Sequence, residues 1–280
     1  MTHRTVGAAT PDRPNGPLSA VGSVTSEADR ARMRGADTRP VLVMIPGTLC
    51  DGRLFERQAR QLRGQAKVLR VDWQHLRHTT DPIDALLRLL PARFSLAGFS
   101  LGGLWAVQVL ARAPERVERL ALIASNAEGS SRRARRRGAR LWRLWQAQGA
   151  RAVARACKPA YFHHPRQRQR HARLVRDMAA ATPRRVAKAQ FDWAGRRPDG
   201  LRVLARSAAP LLLVSGEYDQ LCPRALQQRI LEAAPAVRWA EIPRCGHFLP
   251  LEAPARLTGL LRSWLAEPAP ISRENAFDHT

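Results

Sequence analysis

The sequence predicts an α/β fold, a mostly parallel sheet of about six strands with helices on both faces, and three features of its pattern carry that expectation. Short apolar runs recur at Val41–Ile45, Val68–Val71, Phe94–Phe99, Leu120–Ala124, Leu211–Val214 and Val237–Ile242. Most show no strict polar alternation, which suits parallel strands buried on both faces. Stretches of helical periodicity separate them, and repeated strand-helix units imply right-handed crossovers between parallel strands. The rhythm lapses over residues 127–206, where helices are expected at Leu141–Ala154 and Arg168–Ala181 but no strand is. A helical insertion therefore interrupts the alternation.

Taken in order, the first run ends at Pro46-Gly47, and Leu54–Leu62 reads as a helix. Ile83–Leu90 follows Pro82, whose fixed φ suits a first helical turn. Phe94–Phe99 passes without a gap into the helical Leu101–Arg112, which closes near Pro114. Beyond the insertion, helices are expected at Arg224–Ala234 and Ala253–Leu265. Residues 40–126 and 207–267 thus form the core. In open sheets of this kind ligands bind beyond the carboxyl ends of the strands, so residues 127–206 become a basic helical lid over that end. Residues 1–39 lack hydrophobic periodicity and are expected to be a disordered extension, with residues 268–280 a C-terminal tail.

A chain of 280 residues can bury a substantial core. Its longest apolar runs, such as Pro210–Val214, are far too short to span a bilayer, and no apolar block marks a secretory signal. The expected location is cytoplasmic. Cys50, Cys157, Cys222 and Cys245 are scattered and lie outside metal-ligand spacings, which points to reduced thiols and no metal site.

The charge is uneven. Residues 127–206 hold twenty arginines and two lysines against Glu128, Asp177, Asp192 and Asp199, three quarters of the net +24. Clusters at Arg132–Arg137 and at Arg166, Arg168 and Arg170 would attract an anionic or carrier-linked substrate. Nucleic acid is not the expected partner. Trp142, Trp145 and Trp193 offer stacking surfaces, yet no groove-reading motif accompanies them. Nothing in the sequence speaks to oligomeric state.

Gly98-Phe99-Ser100-Leu101-Gly102 joins an expected strand to an expected helix, the context in which a serine nucleophile occupies a sharp, strained turn. A serine hydroxyl needs a base, and the base needs an acceptor on its other nitrogen to fix its tautomer. Asp219 lies on the loop after the fifth run and His247 on the loop after the last, in the chain order serine, acid, histidine. Glu217 and Glu128 are rival acids. Asp219 is preferred because it stands farther from its strand, where the loop can reach the histidine. Two donors must hold the oxyanion. The Leu101 amide opens the elbow helix, and the second should come from the turn Pro46–Asp51, with Thr48 first and Leu49 next.

At 46–51, 98–103, 216–223 and 246–252 the chain resembles the α/β-hydrolase superfamily. It is most similar to bacterial carboxylesterases related to the pimeloyl-carrier-protein methyl ester esterase, over roughly residues 40 to 266. The resemblance implies the α/β-hydrolase fold and the same roles for Ser100, Asp219 and His247. Two departures stand out: Pro46 replaces a histidine often found before the oxyanion glycine, and two leading strands are absent. The implied reaction is hydrolysis of a small-molecule carboxylic ester or thioester through an acyl-serine, without metal or organic cofactor. A carbon–carbon hydrolase or acyltransferase on the same triad, or a non-catalytic basic binding protein, are the alternatives.

Overall fold

The computed structural model describes residues 18–20, 39–73 and 82–267. Strands β1 (Leu18–Ala20), β2 (Val41–Ile45), β3 (Lys67–Val71), β4 (Phe94–Phe99), β5 (Val117–Ile123), β6 (Leu211–Gly216) and β7 (Arg238–Ile242) form one sheet in the order β1-β3-β2-β4-β5-β6-β7. The pairs from β3 to β7 are all parallel, as expected for the six apolar runs. A seventh strand, β1, pairs antiparallel with β3, Leu18 opposite Val71. It adds an antiparallel edge strand to the six parallel ones and falls within the stretch expected to be disordered. Three residues are too few for alternation to announce a strand. The rest of residues 1–38, and residues 268–280, lie outside the described residues.

The helices are α1 (Glu56–Leu62), α2 (Pro82–Leu89), α3 (Leu101–Arg112), α4 (Arg132–Cys157), α5 (Pro165–Ala181), α6 (Arg184–Ala194), α7 (Leu201–Ala205), α8 (Arg224–Ala233), α9 (Leu249–Glu252) and α10 (Pro254–Leu265). None of the described helices is long and apolar enough to cross a membrane.

Two apolar layers sandwich the sheet, and the strand pleat assigns each residue to one of them. Leu42 and Met44 of β2 face one layer, with Ala59 and Leu62 of α1 and Leu257, Leu261 and Trp264 of α10. Val43 and Ile45 face the other, with Ile83 and Leu86 of α2, Trp105 and Val109 of α3, and Ile230 of α8. Burial on both faces is why these strands read as unbroken apolar runs. Each fully buried Leu or Phe contributes roughly 1.5–3 kcal/mol.

Between β5 and β6 the chain forms α4 to α7. Helix α4 begins nine residues before the apolar pattern does, at Arg132, because Ser131 Oγ accepts the Ala134 amide at 3.1 Å and arginine is a good helix former. It kinks at Gly149, which has φ 75°. Helix α6 escaped the pattern reading, since Ala187 and Gln190 share its buried face with Val186 and Phe191. Leu141, Trp145, Val153 and Phe191 pack with Leu49, so these helices rest on the turn after β2.

Candidate active site

The carboxyl ends of β2, β4, β6 and β7 converge on Ser100. It closes β4 with φ 54° and ψ −117°, a conformation non-glycine residues rarely adopt. The surroundings impose it. The Ser100 amide donates to Ile123 O at 2.9 Å, and Ser125 Oγ donates to Ser100 O at 2.8 Å. Gly102 is required by close approach, because a Cβ there would sit 2.1 Å from Ile45 O.

His247 Nδ1 lies 2.8 Å from Asp219 Oδ2, and its Nε2 lies 2.9 Å from Ser100 Oγ. A carboxylate can only accept, so Nδ1 carries the proton and Nε2 is left to accept from the serine hydroxyl. Asp219 Oδ1 accepts the Leu221 and Cys222 amides at 2.8 and 2.9 Å, which fixes the carboxylate. Both His247 and Asp219 are buried. Burial would raise the Asp219 pKa, but the charge and hydrogen bond of His247, with the two amides, outweigh it and hold the carboxyl below its ordinary range. A depressed acid stabilises the fold above its unfolded pKa of about 4, and that contribution is lost as pH falls through the folded value. The gap in denaturation midpoint between wild type and Asp219→Asn should therefore narrow on acidification below about pH 4.

Neither rival acid reaches the histidine. Glu217 Oε2 accepts the Arg244 amide at 2.8 Å, and Glu128 pairs with Arg229 at 2.9 Å.

Among the described residues, the Thr48 and Leu101 amides are bound by no protein acceptor, whereas the Leu49 amide donates to Gln190 Oε1 at 3.0 Å. That favours Thr48 over Leu49 as the second free donor. The left-handed residue of this turn is Leu49, with φ 53°, and not Gly47. Gly47 is needed for space, since a Cβ there would meet the Phe99 ring at 2.9 Å.

A cavity of about 560 Å³ opens beside Ser100, lined by Thr48, Leu101 and His247 and walled by Leu141, Val153 and Phe191 of α4 and α6. Sequence reading missed several residues around it. Tyr161 O accepts the His247 amide at 2.7 Å, and the Tyr161 ring stands edge-on to the imidazole at 5.5 Å. Glu252 accepts the Gly246 amide at 3.1 Å and the His163 amide at 2.8 Å, tying the histidine loop to the chain before α5. Buried Lys158 donates to Thr48 O at 2.7 Å. Its signal was compositional: it is one of two lysines among twenty arginines in residues 127–206.

Asp219, Cys222 and His247 bring ligand atoms within 4.8 Å of one another, a grouping that could hold a metal ion. All the Asp219 and His247 atoms concerned already serve the hydrogen bonds above. Burial and the Asp219 charge push the Cys222 thiol far up, so it stays protonated and is a poor ligand. The four cysteines are free. Of the tryptophans considered for base stacking, Trp145 is buried, Trp193 packs on Trp105 at 5.5 Å, and Trp142 lies under Arg184 and Lys188.

A profile of the alpha/beta hydrolase family matches residues 42–259. The pimeloyl-(acyl-carrier protein) methyl ester esterase of Nitrosomonas europaea is 24% identical over 223 residues, 74% of this chain and 88% of that protein. The biotin biosynthesis bifunctional protein BioHC of Cellvibrio japonicus is 38% identical over 98 residues, which cover 32% of this chain and 20% of that protein. A thermophilic esterase from Thermogutta terrifontis superposes with a TM-score of 0.71 at 21% identity, over 82% of this chain and 90% of that one.

Proposed function

Because the chain belongs to the alpha/beta hydrolase family, we propose that it is a serine hydrolase that cleaves a small-molecule carboxylic ester through an acyl-serine, with Ser100 as nucleophile. The hydrogen-bonded succession Ser100 Oγ, His247, Asp219 carries this reading. Ser100 Oγ attacks the ester carbonyl while His247 Nε2 takes its proton, and Asp219 stabilises the imidazolium. The Thr48 and Leu101 amides hold the oxyanion, the second at the positive end of α3. Collapse expels the alcohol, which leaves with the proton from His247. Water, deprotonated in turn by His247, releases the acid and regenerates Ser100. Residues 127–206 act as the lid on a core of residues 40–126 and 207–267. The name of the Nitrosomonas relative, a methyl ester esterase, supports esters of small alcohols as first substrates.

Stopped-flow hydrolysis of methyl and p-nitrophenyl esters of graded acyl length tests the reading. An initial burst of alcohol, stoichiometric with enzyme, is the expected result, and no turnover of any ester would contradict it. If the Thr48 amide holds the oxyanion, Gly47→Ala must displace it. The added Cβ meets both the Phe99 ring at 2.9 Å and Phe99 O at 3.2 Å, so the turn has to shift. A fall in kcat of about 10²-fold, with unchanged circular dichroism, is expected from losing one donor.

A further inference from the structure

Lys158 is 7% exposed, and among the described residues its ammonium is bonded to a carbonyl and a thiol and to no carboxylate. Its neighbours are Thr48 O at 2.7 Å, Cys50 Sγ at 3.6 Å, and the rings of Tyr161 and Phe248 at 5.6 and 5.2 Å from their centroids. Neither nearby acid supplies a countercharge. Burial raises the Cys50 thiol above its ordinary range and pushes the Tyr161 phenol up to about 12, so both stay neutral. A second cation joins it: Arg137 stands 5.8 Å from the same Tyr161 ring and donates to its hydroxyl. Both line the cavity that contains Ser100. Arg133 and Arg197 line it as well, against the single carboxylate of Glu128, which is already paired with Arg229 at 2.9 Å.

Burying a cation without a partner costs several kcal/mol, and gathering like charges on one wall adds to that cost. Ring faces and one carbonyl offset it only in part. An anion entering the cavity would remove the penalty, and the placement says where. Thr48 O is three covalent bonds from the Thr48 amide nitrogen, which puts the Lys158 ammonium within about 10 Å of the oxyanion position. Arg137 adds a planar fork that matches a carboxylate to the point charge of Lys158, and the apolar wall of Leu141, Val153 and Phe191 suits a short methylene chain.

We infer that Lys158, assisted by Arg137, forms a carboxylate subsite, and that the substrate is a half-ester of a short dicarboxylic acid whose free carboxylate binds there. This rests on the ester-hydrolase reading of Ser100, but its test has an arm that does not. The first arm compares kcat/KM for monomethyl succinate, glutarate and adipate with that for the corresponding dimethyl esters. Wild type should favour at least one half-ester by about tenfold or more, and in Lys158→Met that ratio should fall to about one, chiefly through KM. Arg137→Gln should lower it by about threefold. A diester preference across the series, or a ratio unchanged in Lys158→Met, overturns the subsite while leaving the hydrolase reading intact.

The second arm titrates glutarate and adipate calorimetrically into Ser100→Ala. Binding is expected, weakened at least tenfold in the Ser100→Ala, Lys158→Met double variant, and failure to bind either diacid overturns the subsite. Binding without turnover of any ester by wild type would instead remove the hydrolase reading and keep the subsite. Lys158→Met should also unfold at a temperature no lower than wild type, because it relieves a buried unpaired charge. A marked fall would mean that Lys158 serves the Thr48 turn structurally, and that too overturns the assignment.

Discussion

Replacing Ser100 with alanine should lower kcat for a methyl ester by roughly 10⁶-fold with little change in fold, because alanine in that turn loses only the Oγ. The backbone that strains Ser100 is held by its own amide to Ile123 and by Ser125 at 2.8 Å, and alanine keeps both bonds. On the proposed mechanism the hydroxyl is the only group that can become the acyl carrier. The residue of activity would come from the free Thr48 and Leu101 amides acting on bound substrate. Steady-state kcat per mole of folded chain checks this, and a loss of less than tenfold would mean that another group attacks.

Asp219→Asn is the next largest change, expected to cost about 10⁴-fold in kcat while KM stays near the wild-type value. The asparagine amide can donate to Nδ1, which would move the imidazole proton to Nε2 and leave no acceptor for the serine hydroxyl. No other acid can take over, since Glu217 is engaged by the Arg244 amide at 2.8 Å and Glu128 by Arg229 at 2.9 Å. Glu217→Gln should accordingly change kcat by less than about threefold. Steady-state kinetics of the two variants side by side make the comparison, and equal losses would mean the acid has been misassigned.

How much of this was legible beforehand follows from what each residue does. Strands buried on both faces left unbroken apolar runs, so β2 and β4 could be read to the residue, and β5 and β6 to within three residues at their ends. Ser100 and Asp219 follow such strands, His247 follows the partly exposed β7, and their chain order suggested the grouping. The turn that carries Thr48 was readable because it follows a strand, but its left-handed residue is Leu49, which has no glycine to mark it. Residues 127–206 were the hard part. Their helices pack with alanines and Gln190, so the buried face of α6, at Val186, Ala187, Gln190 and Phe191, has helical spacing but only two large apolar residues to mark it. Tyr161 meets the histidine loop through its backbone carbonyl, and a backbone contact is indifferent to side-chain pattern. Lys158 acts through a fold-dependent juxtaposition with Thr48, 110 residues away in sequence.

Whether His247 activates Ser100 for covalent attack can be read from mass-spectrometric mapping of a fluorophosphonate adduct. One adduct per chain is expected, on the peptide containing Ser100, formed by wild type and lost in both Ser100→Ala and His247→Gln. An adduct on any other residue, or undiminished labelling of Ser100 in His247→Gln, would contradict it.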